Sequence, residues 1–157
     1  MVIYQQIVVQ SSNSGVFMMN SDLIFLPVLA HIYLIFMVYI YLGVVKTRAV
    51  KEGAVDRQKA SLNPNAWPEY VVKVSNNLAN QFESPTLFYV LTVLYYLTNN
   101  VSIILIAIMS FYVLSRYLHA YIHVTSNYVP FRFQLFRVGV LTLLALTLWL
   151  TFKFLGH

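Results

Sequence analysis

Residues 73–89 read KVSNNLANQFESPTLFY, and they open an apolar segment that continues to Leu97. Five polar side chains, Asn76, Asn77, Asn80, Gln81 and Glu83, stand at its start, followed by Pro85. A polar side chain at membrane depth that faces lipid costs several kcal/mol, so these should face protein or a water-filled cavity. At helical spacing Asn76, Asn80 and Glu83 fall at i, i+4 and i+7, on one face. Pro85 has no amide to offer the Gln81 carbonyl, which predicts a kinked helix and an opened carbonyl that needs a partner.

The rest of the chain explains why membrane depth is the right frame. Of 157 residues, 59% are hydrophobic and only 10% charged. Soluble domains carry about 25% charged residues. Apolar runs of membrane length occur at about 23–45, 74–97, 101–124 and 134–154, which predicts four spans in one domain. Residues 1–21 contain no Lys or Arg, so no signal peptide is read there. They are expected to form a flexible tail ahead of a membrane domain over 22–157, with Met18 or Met19 as a candidate start. The fold class expected is an all-α membrane protein, an up-down bundle of four transmembrane helices.

The first run stops at Lys46, Arg48 and Lys51 and is retained as an anchor, with Pro27 tolerated near its start. His31 lies inside it, a histidine expected to bond to a neighbouring helix. The 46–74 loop holds six basic residues, whereas the Thr98–Asn100 turn holds none. This asymmetry puts the loop in the cytoplasm and both termini on the outer face. The net charge of +5 belongs to that asymmetry, and no basic patch interleaved with aromatics suggests nucleic acid. There is no cysteine, which excludes disulfides, thiolate metal sites and a protein-borne thiol nucleophile. No P-loop, dinucleotide or nucleophile-elbow glycine pattern occurs.

The third run carries Arg116, His119 and His123 at i, i+3 and i+7. Counted from the loop side, Glu83 lies about nine residues in, roughly 14 Å, and Arg116 about eight, roughly 12 Å. Asn80 and His119 share the next level, and Asn76 and His123 the one after. Two polar stripes on antiparallel neighbours thus match in depth. One outcome is a structural ladder with a Glu83–Arg116 ion pair. The other is a polar pocket, open to the cytoplasm, that holds a charged small molecule. A proton or solute conduit on Glu83, His119 and His123 is a third reading, to which His31, roughly 21 Å deep, contributes nothing. His119 and His123 with Glu83 form no His-Glu-x-x-His pattern, and no metal is expected.

The run Asn80-Gln-Phe-Glu83-Ser-Pro85 resembles the second-helix signature of the MAPEG proteins, the membrane-associated proteins in eicosanoid and glutathione metabolism. Arg116-Tyr-Leu-His119-Ala-Tyr-Ile-His123, followed by Asn127 and Arg132, resembles the third-helix end of their bacterial branch. The resemblance covers residues 22–155. It implies a homotrimer in the lipid bilayer and glutathione as co-substrate between subunits on the cytoplasmic side. It also implies transferase or peroxidase chemistry on hydrophobic electrophiles or lipid hydroperoxides, and a bacterial inner membrane. It assigns Asn80 and Glu83 to glutathione contact, with Asn76 and His123 beside them. Arg116 and His119 would bias thiol ionisation. Asn76 and Thr125 stand where glutathione-using members carry arginine. A bundle that keeps the fold and uses the ladder only for packing is the alternative.

Overall fold

The computed structural model describes residues 20–156, and the expected tail therefore lies almost wholly outside the described residues, as do Met18 and Met19. Every regular element among the described residues is helical. A short 3-10 turn, Ser21–Ile24, leads into α1, Phe25–Lys51. α2, Arg57–Leu62, is followed by another 3-10 turn, Pro64–Ala66. α3 is Glu69–Asn80 and α4 is Ser84–Leu97. α5 is Ile103–Val124 and α6 is Val129–Leu155.

Among the described residues three stretches are long and apolar enough to cross a membrane: Ser21–Lys51, Ile103–Val124 and Val129–Leu155. The expected second span is instead two helices with a break at residues 81–83. A helix interior cannot hold Pro85, whereas the first turn of α4 can, because its amides need no intrahelical partner. α3 closes with i→i−3 bonds, Gln81 N to Leu78 O and Phe82 N to Ala79 O, so the chain leaves the helix four residues before the proline.

Other boundaries moved for local reasons. α1 runs six residues beyond Val45, where Val45 and Ala49 stay buried in the core that holds Val71 and Val74 of α3. It ends in a Schellman turn, with Gly53 at φ +65°, Gly53 N on Val50 O and Ala54 N on Ala49 O. α4 ends the same way on Asn99 at φ +55°. α6 starts five residues before Gln134, with Pro130 in its first turn, so the expected 125–133 loop is only residues 125–128. The 46–74 loop is largely structured by α2, the Pro64–Ala66 turn and the first turn of α3. There Arg48 Nε donates to Glu52 at 2.7 Å and holds that carboxyl below the usual carboxylate range.

α5 packs against α1, α3 and α6, while α4 lies on α6 and touches α1. Two apolar cores result. One joins Phe88, Leu91 and Tyr95 of α4 to Leu105, Met109 and Tyr112 of α5 and Leu143 and Leu146 of α6. Phe88 stacks on Tyr112, and the Tyr95 hydroxyl donates to the Leu146 carbonyl at 2.7 Å. The other joins Leu34, Val38 and Val45 of α1 to Val71 and Val74 of α3 and Ala120 of α5. The buried polar residues His31, Asn77, Gln81, Arg116, His119 and His123 belong to neither.

Candidate functional site

The α3–α4 break and the adjoining face of α5 build the site. α3 buries Val71, Val74 and Asn77, and the same face continues to Gln81. Because the two valines set the buried face, Asn77 and Gln81 turn inward. Asn76 and Glu83 are exposed on this chain, and Asn80 is half-buried. The expected stripe of Asn76, Asn80 and Glu83 therefore lies about 100° round the helix from the buried one.

Arg116 comes from α5 into the break and is 1% exposed. Its Nη2 donates to the Asn80 carbonyl at 2.9 Å. That carbonyl is among those freed where α3 stops, and a cation at a helix C-terminus also meets the negative end of its dipole. The partner required by the broken helix is thus an arginine from a neighbouring helix. The depth match between Arg116 and this stretch holds to within one turn. The expected Glu83–Arg116 ion pair does not form: among the described residues the ion pairs are Arg48–Glu52, Lys59–Asp56 and Lys73–Glu69. Glu83 sits instead at the N-terminal cap position of α4, where a negative charge suits the dipole.

His119 and His123 are buried on α5, with ring centroids 5.7 Å apart. His119 Nδ1 donates to the Arg132 carbonyl on α6 at 3.2 Å, so its partner is α6 rather than Asn80. Arg132 in turn donates to Asn127, which closes the end of α5 at φ +51°. Arg116 Nε, His119 Nε2 and His123 Nδ1 are all buried without a hydrogen-bond partner. The Tyr112 hydroxyl approaches Ser84 at the start of α4 but also lacks a partner of good geometry. Native interiors leave few polar groups unpaired, so these four atoms make this part of the molecule the candidate site. Among the described residues no three His, Asp or Glu side chains are grouped to hold a metal.

Sequence reasoning missed a second polar line. The Tyr89 hydroxyl meets His31 Nδ1 at 2.6 Å, and His31 Nε2 meets Gln81 Oε1 at 3.3 Å. Gln81 Nε2 donates to the Asn77 carbonyl at 3.2 Å and to Asn77 Oδ1 at 3.0 Å. His31 does bond to a neighbouring helix, as expected. It is not isolated above the other polar groups, because its ring reaches both Tyr89 on α4 and Gln81 at the break. The signal in the sequence was the i, i+4 pair Asn77 and Gln81, in phase with Val71 and Val74.

Compared with known families, the chain matches the MAPEG family over residues 25–152. Comparisons with curated proteins and with solved structures gave no match.

Proposed function

Because this chain belongs to the MAPEG family, and so is an integral membrane protein of the kind that works in glutathione and eicosanoid metabolism, we propose that it is a glutathione-dependent transferase or peroxidase. It acts on hydrophobic electrophiles or lipid hydroperoxides that arrive through the bilayer. Four crossings form an up-down bundle, with α3 and α4 together making the second, and three copies assemble. The 46–74 loop faces the cytoplasm of a bacterial inner membrane, with both termini on the outer face.

One observation carries this reading. Asn76 and Glu83 are exposed on the single chain, beside a break whose buried Arg116 keeps an unpartnered Nε. Polar side chains at that depth call for protein or a bound polar molecule over them. A neighbouring copy with an anionic tripeptide between the two meets both needs. Glu83 then takes the glutathione amine, and Asn76 and Asn80 take its amides and carboxylate. His123 lies on the inner wall of the site. Arg116 supplies a donor and positive charge that favour the thiolate over a thiol of ordinary pKa, about 8.5, and His119, whose Nδ1 is spent on the Arg132 carbonyl, offers Nε2 as an acceptor for the thiol proton. The thiolate forms a carbon–sulfur bond at the electrophilic carbon, and the displaced or developing anion takes up a proton. With a hydroperoxide, two glutathiones are oxidised to the disulfide as the peroxide is reduced to alcohol and water.

The test is thiolate ultraviolet absorbance as glutathione is titrated into the detergent-purified protein. We expect a saturable signal, reduced at least tenfold in affinity by Glu83→Gln and abolished by Arg116→Ala. Asn76→Arg restores the arginine of glutathione-using relatives at an exposed position and is expected to tighten binding. Absence of binding and of a thiolate signal in the unmodified protein would sink the proposal.

A second reading rests on the Arg116–Asn80 bond. It makes Arg116 a clamp on the broken helix in a non-catalytic bundle, without the Glu83–Arg116 ladder first envisaged. Under it, Arg116→Ala destabilises the fold and glutathione has no effect on either protein.

A further inference from the structure

The last turns of α1 carry two different faces. Val45 and Ala49 stay buried in the core shared with α3, whereas Lys46 beside them is half-buried and Thr47, Val50 and Lys51 are exposed. A groove of about 530 Å³ lies between that second face, α2 and Trp67.

The charge of this groove is one-sided. Lys46, Lys51 and Arg57 line it, and no carboxylate does. Among the described residues none of the three takes part in an ion pair. The acids nearest in sequence are engaged elsewhere. Glu52 accepts from Arg48 Nε at 2.7 Å and from the Tyr70 hydroxyl at 3.3 Å. Asp56 caps α2 through the Gln58 and Lys59 amides and pairs with Lys59. The two hydroxyls of the lining have also given away their hydrogens, Thr47 to the Gly43 carbonyl and Ser61 to the Gln58 carbonyl. The donors left over are cations. The C-terminal end of α1 adds about half a negative charge, too little to balance three of them.

The position of the groove selects the kind of anion. It lies at the end of Ser21–Lys51, a stretch long and apolar enough to cross a membrane. Lys46 Nζ stands 5.0 Å over the Trp67 ring, and a tryptophan beside a snorkelling lysine belongs at headgroup level. Leu62, the last residue of α2, is 91% exposed, and at that level the acyl chains are the medium that covers such a side chain. The volume is within the ~300–1,000 Å³ of sites for small molecules.

We propose that this groove binds the headgroup phosphate of an anionic glycerophospholipid, in the leaflet at this end of α1. The phosphate accepts charge-assisted hydrogen bonds from Lys51 and Arg57, with Lys46 adding its charge from above Trp67. Leu62 enters the acyl region next to the bound lipid. The glutathione reading is not needed, since Asn76, Asn80, Glu83 and Arg116 line no part of this groove.

The full chain carrying Trp149→Phe keeps Trp67 as its one tryptophan. Its fluorescence in uncharged detergent is followed as phosphatidylglycerol, phosphatidylcholine of the same acyl chains, or inorganic phosphate is added. We expect a saturable change with phosphatidylglycerol, about tenfold or more tighter than with phosphatidylcholine, and none with millimolar inorganic phosphate. Lys51→Gln with Arg57→Gln should weaken phosphatidylglycerol about tenfold or more. Lys59→Gln with Lys73→Gln makes the same change in net charge outside the groove and should leave binding nearly unchanged. Lys51→Arg with Arg57→Lys keeps both charges and should do the same. An equal response to the two lipids overturns the proposal. So does an equal loss in the two glutamine pairs, which would reduce the groove to diffuse surface charge. Saturation by inorganic phosphate as tight as by the lipid overturns it too, because the groove then holds a free anion. If the Lys51 and Arg57 glutamine pair does not fold, the comparison of the three ligands in the parent decides.

Discussion

Tyr89, His31, Gln81 and Asn77 form a line in which every donor but the last finds an acceptor, whereas Arg116, His119 and His123 each bury a nitrogen that finds none. Both clusters are buried, and both join residues from different helices. The first is bonded within one chain and holds α1 against α3 and α4. The second is held to the chain by two contacts, Arg116 to the Asn80 carbonyl and His119 to the Arg132 carbonyl, and leaves one guanidinium and two imidazole nitrogens unbonded. The difference separates polar groups bonded to one another within the chain from polar groups left unbonded in it. Membrane interiors sharpen it, because no water stands ready to satisfy what the protein leaves open.

The largest effect should come from breaking the under-bonded cluster. Arg116→Ala removes the donor from the Asn80 carbonyl and the buried positive charge beside the break. A hydrogen bond to a charged group contributes about 1.5–3 kcal/mol, and a loss in that range is expected in detergent unfolding. Glutathione should raise the unfolding midpoint of the unmodified protein and leave that of the variant unmoved. A variant more stable than the parent would mean that Arg116 is a buried charge with no counterpart in the assembled protein.

Breaking the well-bonded line should cost less. His31→Leu leaves the Tyr89 hydroxyl and Gln81 Oε1 without their partner, and about 1–2 kcal/mol is expected by the same unfolding assay. Interhelical bonds in membrane proteins often contribute less, about 0.6 kcal/mol. The buried position of His31, at 0% exposure, argues for the upper part of that span. Glutathione binding should be unchanged in His31→Leu, which is what distinguishes the two clusters.

A double-mutant cycle on Glu83 and Arg116 tests the geometry between the regions. With no ion pair in the chain, the coupling between Glu83→Gln and Arg116→Ala in unfolding should stay within about 0.5 kcal/mol. Coupling well above that would show the two charges meeting in the assembled protein. The smallest effect is expected at Gly139, where α6 approaches α5. A Cβ there would lie 3.4 Å from the Tyr112 ring and 3.5 Å from Ser115 Oγ. Gly139→Ala should cost about 1 kcal/mol or less, since both neighbours stand at ordinary van der Waals distance from the added methyl.

Much of this organisation was readable from residue order. Apolar run lengths located α1, α5 and α6, because lipid tolerates only long apolar helices with satisfied backbones. Pro85 announced that one helix could not continue and that a carbonyl would need a partner. Counting depth brought Arg116 to that place. What residue order could not show was which face of α3 turns inward. Asn76 and Asn77 are adjacent, both amides, and about 100° apart round the helix. The choice between them was made by Val71 and Val74 meeting α1, a contact between segments about twenty residues or more apart in sequence. For the same reason Glu83 was expected to pair with Arg116, when the break carries its carboxylate outward and offers the Asn80 carbonyl instead.

Residue order alone therefore determined a membrane-embedded, helical chain, with its polar residues concentrated where one helix fails. Those features follow from composition, periodicity and the chemistry of proline, all of which act locally. Tertiary packing decided which polar groups are spent on each other and which are left over. Hydrogen-bond satisfaction depends on side-chain direction across helices, and that direction is set only when the apolar faces have docked.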